Sequence, residues 1–163
     1  MDLLHPAVGE HLGRLGIRYE VMECDPAYAD TAAFCDRYGI DPADSANTIL
    51  IAAKRPPGKI AACVALATTR LDVNRVVRDE MAVKKLSFAS PELTLEVSGM
   101  EIGGVTPFGL PADLPILVDT QVMERESIVL GGGNRSSKLR MAPDQLLGVP
   151  SLRVVEGLAI GEW

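Results

Sequence analysis

Two glycine-rich stretches carry the residue types that can do chemistry here, and neither needs a side-chain nucleophile. The first is Gly99-Met100-Glu101-Ile102-Gly103-Gly104-Val105-Thr106-Pro107-Phe108-Gly109-Leu110, set between apolar segments. Glycine accepts positive φ and lets another group approach the backbone, while proline fixes φ and removes an N–H. Gly103, Gly104, Pro107 and Gly109 therefore read as a shaped wall with exposed amides, or else as a plain structural loop. The second stretch, Gly131-Gly132-Gly133-Asn134-Arg135-Ser136-Ser137-Lys138-Leu139, follows a strand-like segment and carries two cations. Its bland alternative is a hairpin turn with Arg135 and Lys138 on the surface. If the two stretches face one cleft, the amides around Gly103 and Gly104 can stabilise a carbonyl as it becomes tetrahedral, because backbone N–H groups are preorganised donors. That chemistry is acyl transfer to water.

Other reactive groups offer less. The chain has only two histidines, His5 and His11, and neither lies at metal-ligand spacing from other donors, so no metal is expected. Cys24, Cys35 and Cys63 are odd in number and lack C-x-x-C spacing, which argues against a disulfide framework and a zinc site and for buried reduced thiols. Cys63 sits inside an apolar run, where burial raises a thiol's pKa and leaves it inert. No P-loop, dinucleotide fingerprint, H-E-x-x-H or serine nucleophile elbow occurs, so no cofactor is expected and the corresponding chemistries lack support. Tyr19 is either a cleft-lining ring or part of the core rim. Asp119 either accepts a hydrogen bond from a ligand amino group, or orients a water, or caps a helix from Thr120 onward.

The elements that must position these groups alternate between helix and strand. Residues 6–15 have helical apolar spacing and stop at Gly16, and residues 17–24 alternate like a half-buried strand. Asp30 caps an alanine-rich helix that ends at Gly39, and residues 41–44 form a turn. Strands are expected over 45–53 and 59–68, joined by a Pro56-Pro57-Gly58 hairpin, the second being long, apolar and central. A helix over 71–81, a short strand over 84–89 and a helix opened by Ser90-Pro91 follow. Strands at 114–118, 127–130 and 137–141 and a short helix at 142–147 complete the placed elements, leaving residues 151–163 unassigned.

A chain of 163 residues that is 47% hydrophobic and 23% charged suits one domain, over residues 1–163, burying roughly two-thirds of its unfolded surface. No apolar run is long enough to cross a membrane and the N-terminus lacks signal-peptide character, so a soluble cytoplasmic protein with no membrane partner is expected. The net charge of −6 runs against a broad basic surface for nucleic acid. Two local clusters offset it: Arg70, Arg75, Arg78, Lys84 and Lys85, which also fit a solvated helix face, and Arg135, Lys138 and Arg140.

The G-x-x-x-G-G-x-x-P-F-G loop, the Leu114-Pro115-Ile116-Leu117-Val118-Asp119 strand and the G-G-G-x-R-x-x-K-L run, in this order and spacing, resemble the YbaK/ProX family. The resemblance is strongest over residues 30–147. Members hydrolyse mischarged aminoacyl-tRNA, free-standing or as the editing insertion of prolyl-tRNA synthetases. The resemblance implies an α/β fold with a central mixed, curved, barrel-like sheet flanked by helices. It implies a trans-editing aminoacyl-tRNA deacylase acting on a small amino acid of the alanine, cysteine or serine class, with an aminoacyl-tRNA acceptor end and a synthetase as partners and no DNA. In site terms it puts Gly103 and Gly104 at the reacting carbonyl and the wall of Thr106, Pro107 and Phe108 around the aminoacyl group. Asp119 falls near the amino group, and Gly132, Gly133, Arg135 and Lys138 toward the acceptor end. Many members carry lysine followed by threonine where residues 45–53 begin. This chain has Asn47-Thr48, a neutral amide in place of an ammonium, and Lys54 and Lys59 lie too far along to substitute. The departure keeps a non-catalytic aminoacyl- or tRNA-binding module of the same fold as the alternative.

Overall fold

The computed structural model describes residues 3–161. Helix α1 (Pro6–Leu15) is capped by the His5 side chain and ends at Gly16 in the left-handed region. Strand β1 (Glu20–Glu23) leads to α2 (Thr31–Tyr38), which stops at Gly39 with φ 68°. Strands β2 (Ala46–Arg55), β3 (Pro57–Leu66), β4 (Arg70–Leu71) and β5 (Lys85–Phe88) follow, with α3 (Arg78–Met81) before β5. Helix α4 (Pro91–Ser98) begins with the Ser90 hydroxyl accepting from Leu93 N–H and ends at Gly99. The remainder comprises β6 (Ile116–Asp119), α5 (Thr120–Met123), β7 (Ile128–Gly131), β8 (Ser137–Met141), β9 (Leu152–Val155) and β10 (Ala159–Ile160).

A five-stranded mixed sheet has the order β5-β2-β3-β6-β9, and a three-stranded sheet has the order β1-β8-β7. Strands β5, β2 and β3 are antiparallel neighbours, whereas β3, β6 and β9 run parallel. Alternation along the strands divides the interior into two cores. Ala46, Leu50, Ala62, Val64, Ile116 and Val118 face Ile128, Leu130, Leu139 and the Val8 and Leu12 stripe of α1. Ile51, Ala61, Cys63 and Leu117 face the other way, onto Val77, Met81 and Leu158. Strand β3 is therefore covered on both sides, which is why it reads as a nearly unbroken apolar run.

The expected mixed sheet between helices is present, but it does not close into a barrel, since β5 and β9 remain separate edges. The helix expected over 71–81 is interrupted. Leu71 and Arg70 pair with β10, the Asp72 N–H donates to Leu158 O, and Val73–Val77 form a π-helical turn before the single turn of α3. Three β-branched valines in that segment resist regular α packing, and the sheet-like pairing at its start removes the first turn. The short helix expected at 142–147 is a 3₁₀ helix, Pro143–Gly148. The unassigned tail supplies β9 and β10, with Trp163 outside the described residues.

The two glycine stretches meet backbone to backbone. A Cβ on Gly131 would fall 2.6 Å from the carbonyl oxygens of Gly104 and Val105, and one on Gly104 would collide with the Asn134 carbonyl. Gly133 N–H donates to Gly104 O at 2.7 Å. Gly131→Ala is therefore expected to destabilise the fold by about 1–3 kcal/mol, the usual cost of overpacking. Gly13→Ala in α1, where an added Cβ meets open space, is expected to stabilise it by up to about 1 kcal/mol. Denaturant midpoints of the two variants check both signs.

Candidate functional site

A cavity of about 210 Å³ opens between the two sheets, walled by the start of β2, the N-terminal turn of α2, the Ile102–Gly103 turn and the Gly131–Lys138 region. Its position follows from how β2 is paired. Strand β5 pairs with β2 only from Ile51 onward, and β7 meets it only at a bridge between Ser45 and Val129. The stretch Asn47–Ile49 is left with an open edge between these two partners. Ala67 N–H donates to Ser45 O on the β3 side, whereas Ala89 N–H donates to Leu50 O on the opposite side. Backbone groups alternate along an antiparallel strand, so the Thr48 N–H and C=O point into the gap. The Thr48 hydroxyl is also buried and without a partner, the condition of a polar atom that awaits a ligand. Beside it, Asn47 Oδ1 accepts from Thr31 Oγ1 at 2.7 Å, which directs the free Nδ2 donors away from α2.

The opposing wall is held by two cations that turn inward. Lys138 is 7% exposed, and its Nζ donates to Ala29 O and to Gly103 O, each at 2.7 Å. It also lies 5.2 Å over the Phe34 ring. An ammonium has three protons, so one remains for the cavity that Lys138 lines. Burial pushes the Lys138 pKa below the usual lysine range, and Arg135 nearby adds to that direction. Arg135 Nη1 donates to Asp30 Oδ1 at 3.0 Å and to Ile102 O at 2.8 Å, and Nη2 donates to Pro26 O at 2.9 Å. The guanidinium thus ties the first glycine loop to the segment before α2, and a side chain at Gly103, where φ is 94°, would collide with it.

The sequence profile of the aminoacyl-tRNA editing domain matches residues 25–149. This chain belongs to that family. The YbaK/ProX resemblance of the glycine stretches agrees with the match. The editing domain superposes on the crystal structure of the hypothetical protein APE2540 with a TM-score of 0.84 at 20% identity, covering 94% of this chain and 99% of the other. A candidate trans-editing enzyme for prolyl tRNA synthetase gives a TM-score of 0.79 at 20% identity, covering 94% and 97%. In sequence, 62 residues are 36% identical to the uncharacterized protein YwhH of Bacillus subtilis (strain 168), a stretch that covers 38% of this chain and 40% of YwhH.

Within this editing domain, the structure gathers Asn47, Thr48, Gly103 and Lys138 at one cavity. The amides of the first loop are not equivalent. Gly104 N–H is engaged with Glu101 O at 2.9 Å, which removes it from the set of carbonyl donors, whereas Gly103 N–H donates to no protein acceptor among the described residues. Thr106, Pro107 and Phe108 are buried behind the loop instead of lining the cavity, with Phe108 packed in the main core and edge-on to His11. Tyr19 packs on the rim of that core. Asp119 is fully buried as the cap of α5, its oxygens accepting from Gln121 N–H and Ala159 N–H, so the capping alternative describes its geometry. Gly132 and Gly133 hold the second loop against His5 and Gly104 and do not reach the cavity. The free edge at Thr48 is the feature that sequence reasoning missed, because it depends on where β5 and β7 stop. The three thiols are free and buried, and burial pushes Cys63 up to about 12. No group of metal-ligating side chains occurs among the described residues.

The lowered pKa of Lys138 fixes a sign. The unfolded chain holds this proton more tightly than the fold does, so between the folded pKa and the ordinary 10.5 the native state gains stability as pH rises, and below both the penalty is constant. Unfolding free energies measured from pH 7 to pH 10.5 are expected to show this rising contribution in the wild type and to lack it in Lys138→Met.

Proposed function

We propose that this editing domain hydrolyses, in trans, the ester bond of a mischarged aminoacyl-tRNA carrying a small amino acid of the alanine, cysteine or serine class. The observation that carries the reading is the small cavity at the unpaired edge of β2, lined by Asn47, Thr48, Gly103 and the inward-turned Lys138. Its volume of about 210 Å³ is below the roughly 300–1,000 Å³ of ordinary ligand sites, which suits a small acyl group. Its apolar walls include Leu50, Val105 and Leu130.

The ester carbonyl sits against the N–H donors, which strengthen their hold as its oxygen becomes an oxyanion. Water adds to the carbonyl carbon, its proton passing to solvent or by way of a hydroxyl of the terminal ribose. The carbon–oxygen bond to the ribose then breaks, the ribose oxygen takes a proton, and the free amino acid leaves. No metal or organic cofactor enters this scheme. Lys138 contributes positive potential from the opposite wall, and its grip on Gly103 O holds the first loop in place. We further propose that residues 1–163 act as one editing unit in the cytoplasm, alongside an aminoacyl-tRNA synthetase whose errors it removes.

Asn47 favours a second reading, a module that binds the aminoacyl end without turnover, because a neutral amide stands where related chains place an ammonium and Lys138 is already bonded to two carbonyls.

Release of labelled amino acid from tRNAs charged with alanine, cysteine, serine or threonine, cognate and non-cognate, separates the two readings. Hydrolysis of one or two mischarged species is expected, with kcat lowered about a hundredfold in Asn47→Ala, the typical effect of losing one carbonyl donor. If the wild type, shown to be folded, binds these tRNAs and hydrolyses none, the binding module is the correct reading.

The same assay has a pH arm. After subtraction of the spontaneous reaction, enzymatic hydrolysis is expected to decline on the alkaline side at a pH below 10.5, as Lys138 loses its proton, and Lys138→Arg is expected to move that decline upward. An unchanged profile in Lys138→Arg removes the ammonium from the mechanism.

A further inference from the structure

A second cavity, of about 460 Å³, lies against the face of β2 opposite to Thr48 and Leu50. Asn47 and Ile49 line both cavities, so the two flank the open edge of β2. Alternation assigns the faces: Asn47, Ile49 and the cross-strand neighbour Ala65 share the second cavity, whereas Ala89 lines the first. Phe88, the last residue of β5, stands in the wall of the second cavity and is 57% exposed. It is one of three phenylalanines in the chain, and the other two are buried to 1% or less. A large ring held in the open beside a cavity is a platform without an occupant.

Charge supplies the occupant's chemistry. The one carboxylate lining this cavity, Asp72, is paired with Arg75 at 3.0 Å, and Arg70 is exposed on its rim. At the far end of β5, Lys85 is in register with Arg55, and Lys84 N–H donates to Arg55 O. Lys54, Arg55, Lys84 and Lys85 are all exposed there, four cations gathered in a chain whose net charge is −6. Phe88 and Lys85 are three residues apart on the edge strand β5, about 10 Å, with side chains on opposite faces that both border its free edge. Edge strand β5 therefore runs from an exposed ring to a cluster of cations.

We propose that the second cavity receives the terminal adenosine of the tRNA acceptor end, with its base on Phe88 and the preceding phosphates following β5 toward Lys85. This rests on the deacylase reading of the first cavity. The amino acid of a charged tRNA is esterified to the ribose of its last nucleoside, so that nucleoside must lie one ester bond from the acyl cavity. Asn47, which lines both cavities, is placed beside the ribose and the carbonyl at once. Arg135 and Lys138, bonded inward, then hold the loops and leave the nucleic acid to β5.

The test uses an adenosine whose 3′ oxygen is replaced by nitrogen, carrying alanine as a stable amide, and compares its affinity by calorimetry for the wild type, Phe88→Ala, Phe88→Tyr and the surface control Leu147→Ala. The KM and kcat for a mischarged tRNA are measured on the same preparations. Loss of one base–aromatic stack is expected to weaken the amide, and raise KM, about tenfold or more in Phe88→Ala, with recovery in Phe88→Tyr and no change in Leu147→Ala. Hydrolysis by the wild type with affinity and KM unchanged in Phe88→Ala overturns the adenosine site and leaves the deacylase reading intact. The expected binding pattern without hydrolysis of any charged tRNA keeps the adenosine site and removes the deacylase reading. Neither binding nor hydrolysis overturns both.

Discussion

The contact between Gly131 and the carbonyl oxygens of Gly104 and Val105 is the constraint on which the rest of the site depends. It brings two loops, far apart in sequence, to a backbone separation that no side chain would permit. Gly133 N–H then closes on Gly104 O, and Arg135 and Lys138, three residues apart on either side of the turn into β8, reach across to Ile102 O and Gly103 O. Each cation binds carbonyl oxygens of the first loop and of the segment before α2. The first loop is thereby held from two sides, and its Gly103 amide is left at the cavity while its Gly104 amide is closed into a turn. A loop with free N–H groups is of use to an acyl-transfer site only if it does not relax around its own carbonyls, and this pair of loops prevents that.

The glycine stretches, the helix stops and the central position of β3 were legible in the sequence because each is set by local rules. Gly16, Gly39 and Gly99 end helices in the left-handed region, Ser90-Pro91 opens one, and β3 is apolar because both its faces are covered. What was not legible depends on distant partners. Nothing local says that Asp119 binds Ala159 N–H or that Lys138 turns inward to Ala29. The segment 71–81 carries a plausible helical pattern, yet Leu158 and β10 claim its first residues. The tail was opaque for the same reason, since β9 and β10 are short and exist only through their pairing with β6 and β4.

An acidic chain can still approach an anionic ligand when the fold sorts its charges. Asp72, Glu80 and Asp44 are each paired with an arginine, at 3.0, 2.6 and 2.8 Å. The exposed pairs contribute little stability, but they neutralise carboxylates locally. The cations left over at the β2–β3 turn and at the start of β5 then set the local potential, which within a Debye length of about 8 Å matters more than the net charge of the whole chain.

The neutral residue at position 47 leaves Lys138 as the one ammonium lining the cavity among the described residues. Lys138 already brings a desolvated ammonium into a cavity of about 210 Å³, with its pKa lowered by burial. A second ammonium at 47, lining the same small space, would add like-charge repulsion to the desolvation that Lys138 already bears. An asparagine avoids this. It accepts from Thr31 Oγ1 on one side and keeps two N–H donors on the other, so it is oriented by the scaffold and still available to a carbonyl. The charge of the site resides on β8, and the directional hydrogen bonds come from β2. This division also accounts for Thr48, whose backbone N–H faces the gap in the sheet and needs no particular side chain to act as a donor. The strand contributes geometry at 47 and 48, and the first glycine loop, fixed by Lys138, faces it across the cavity.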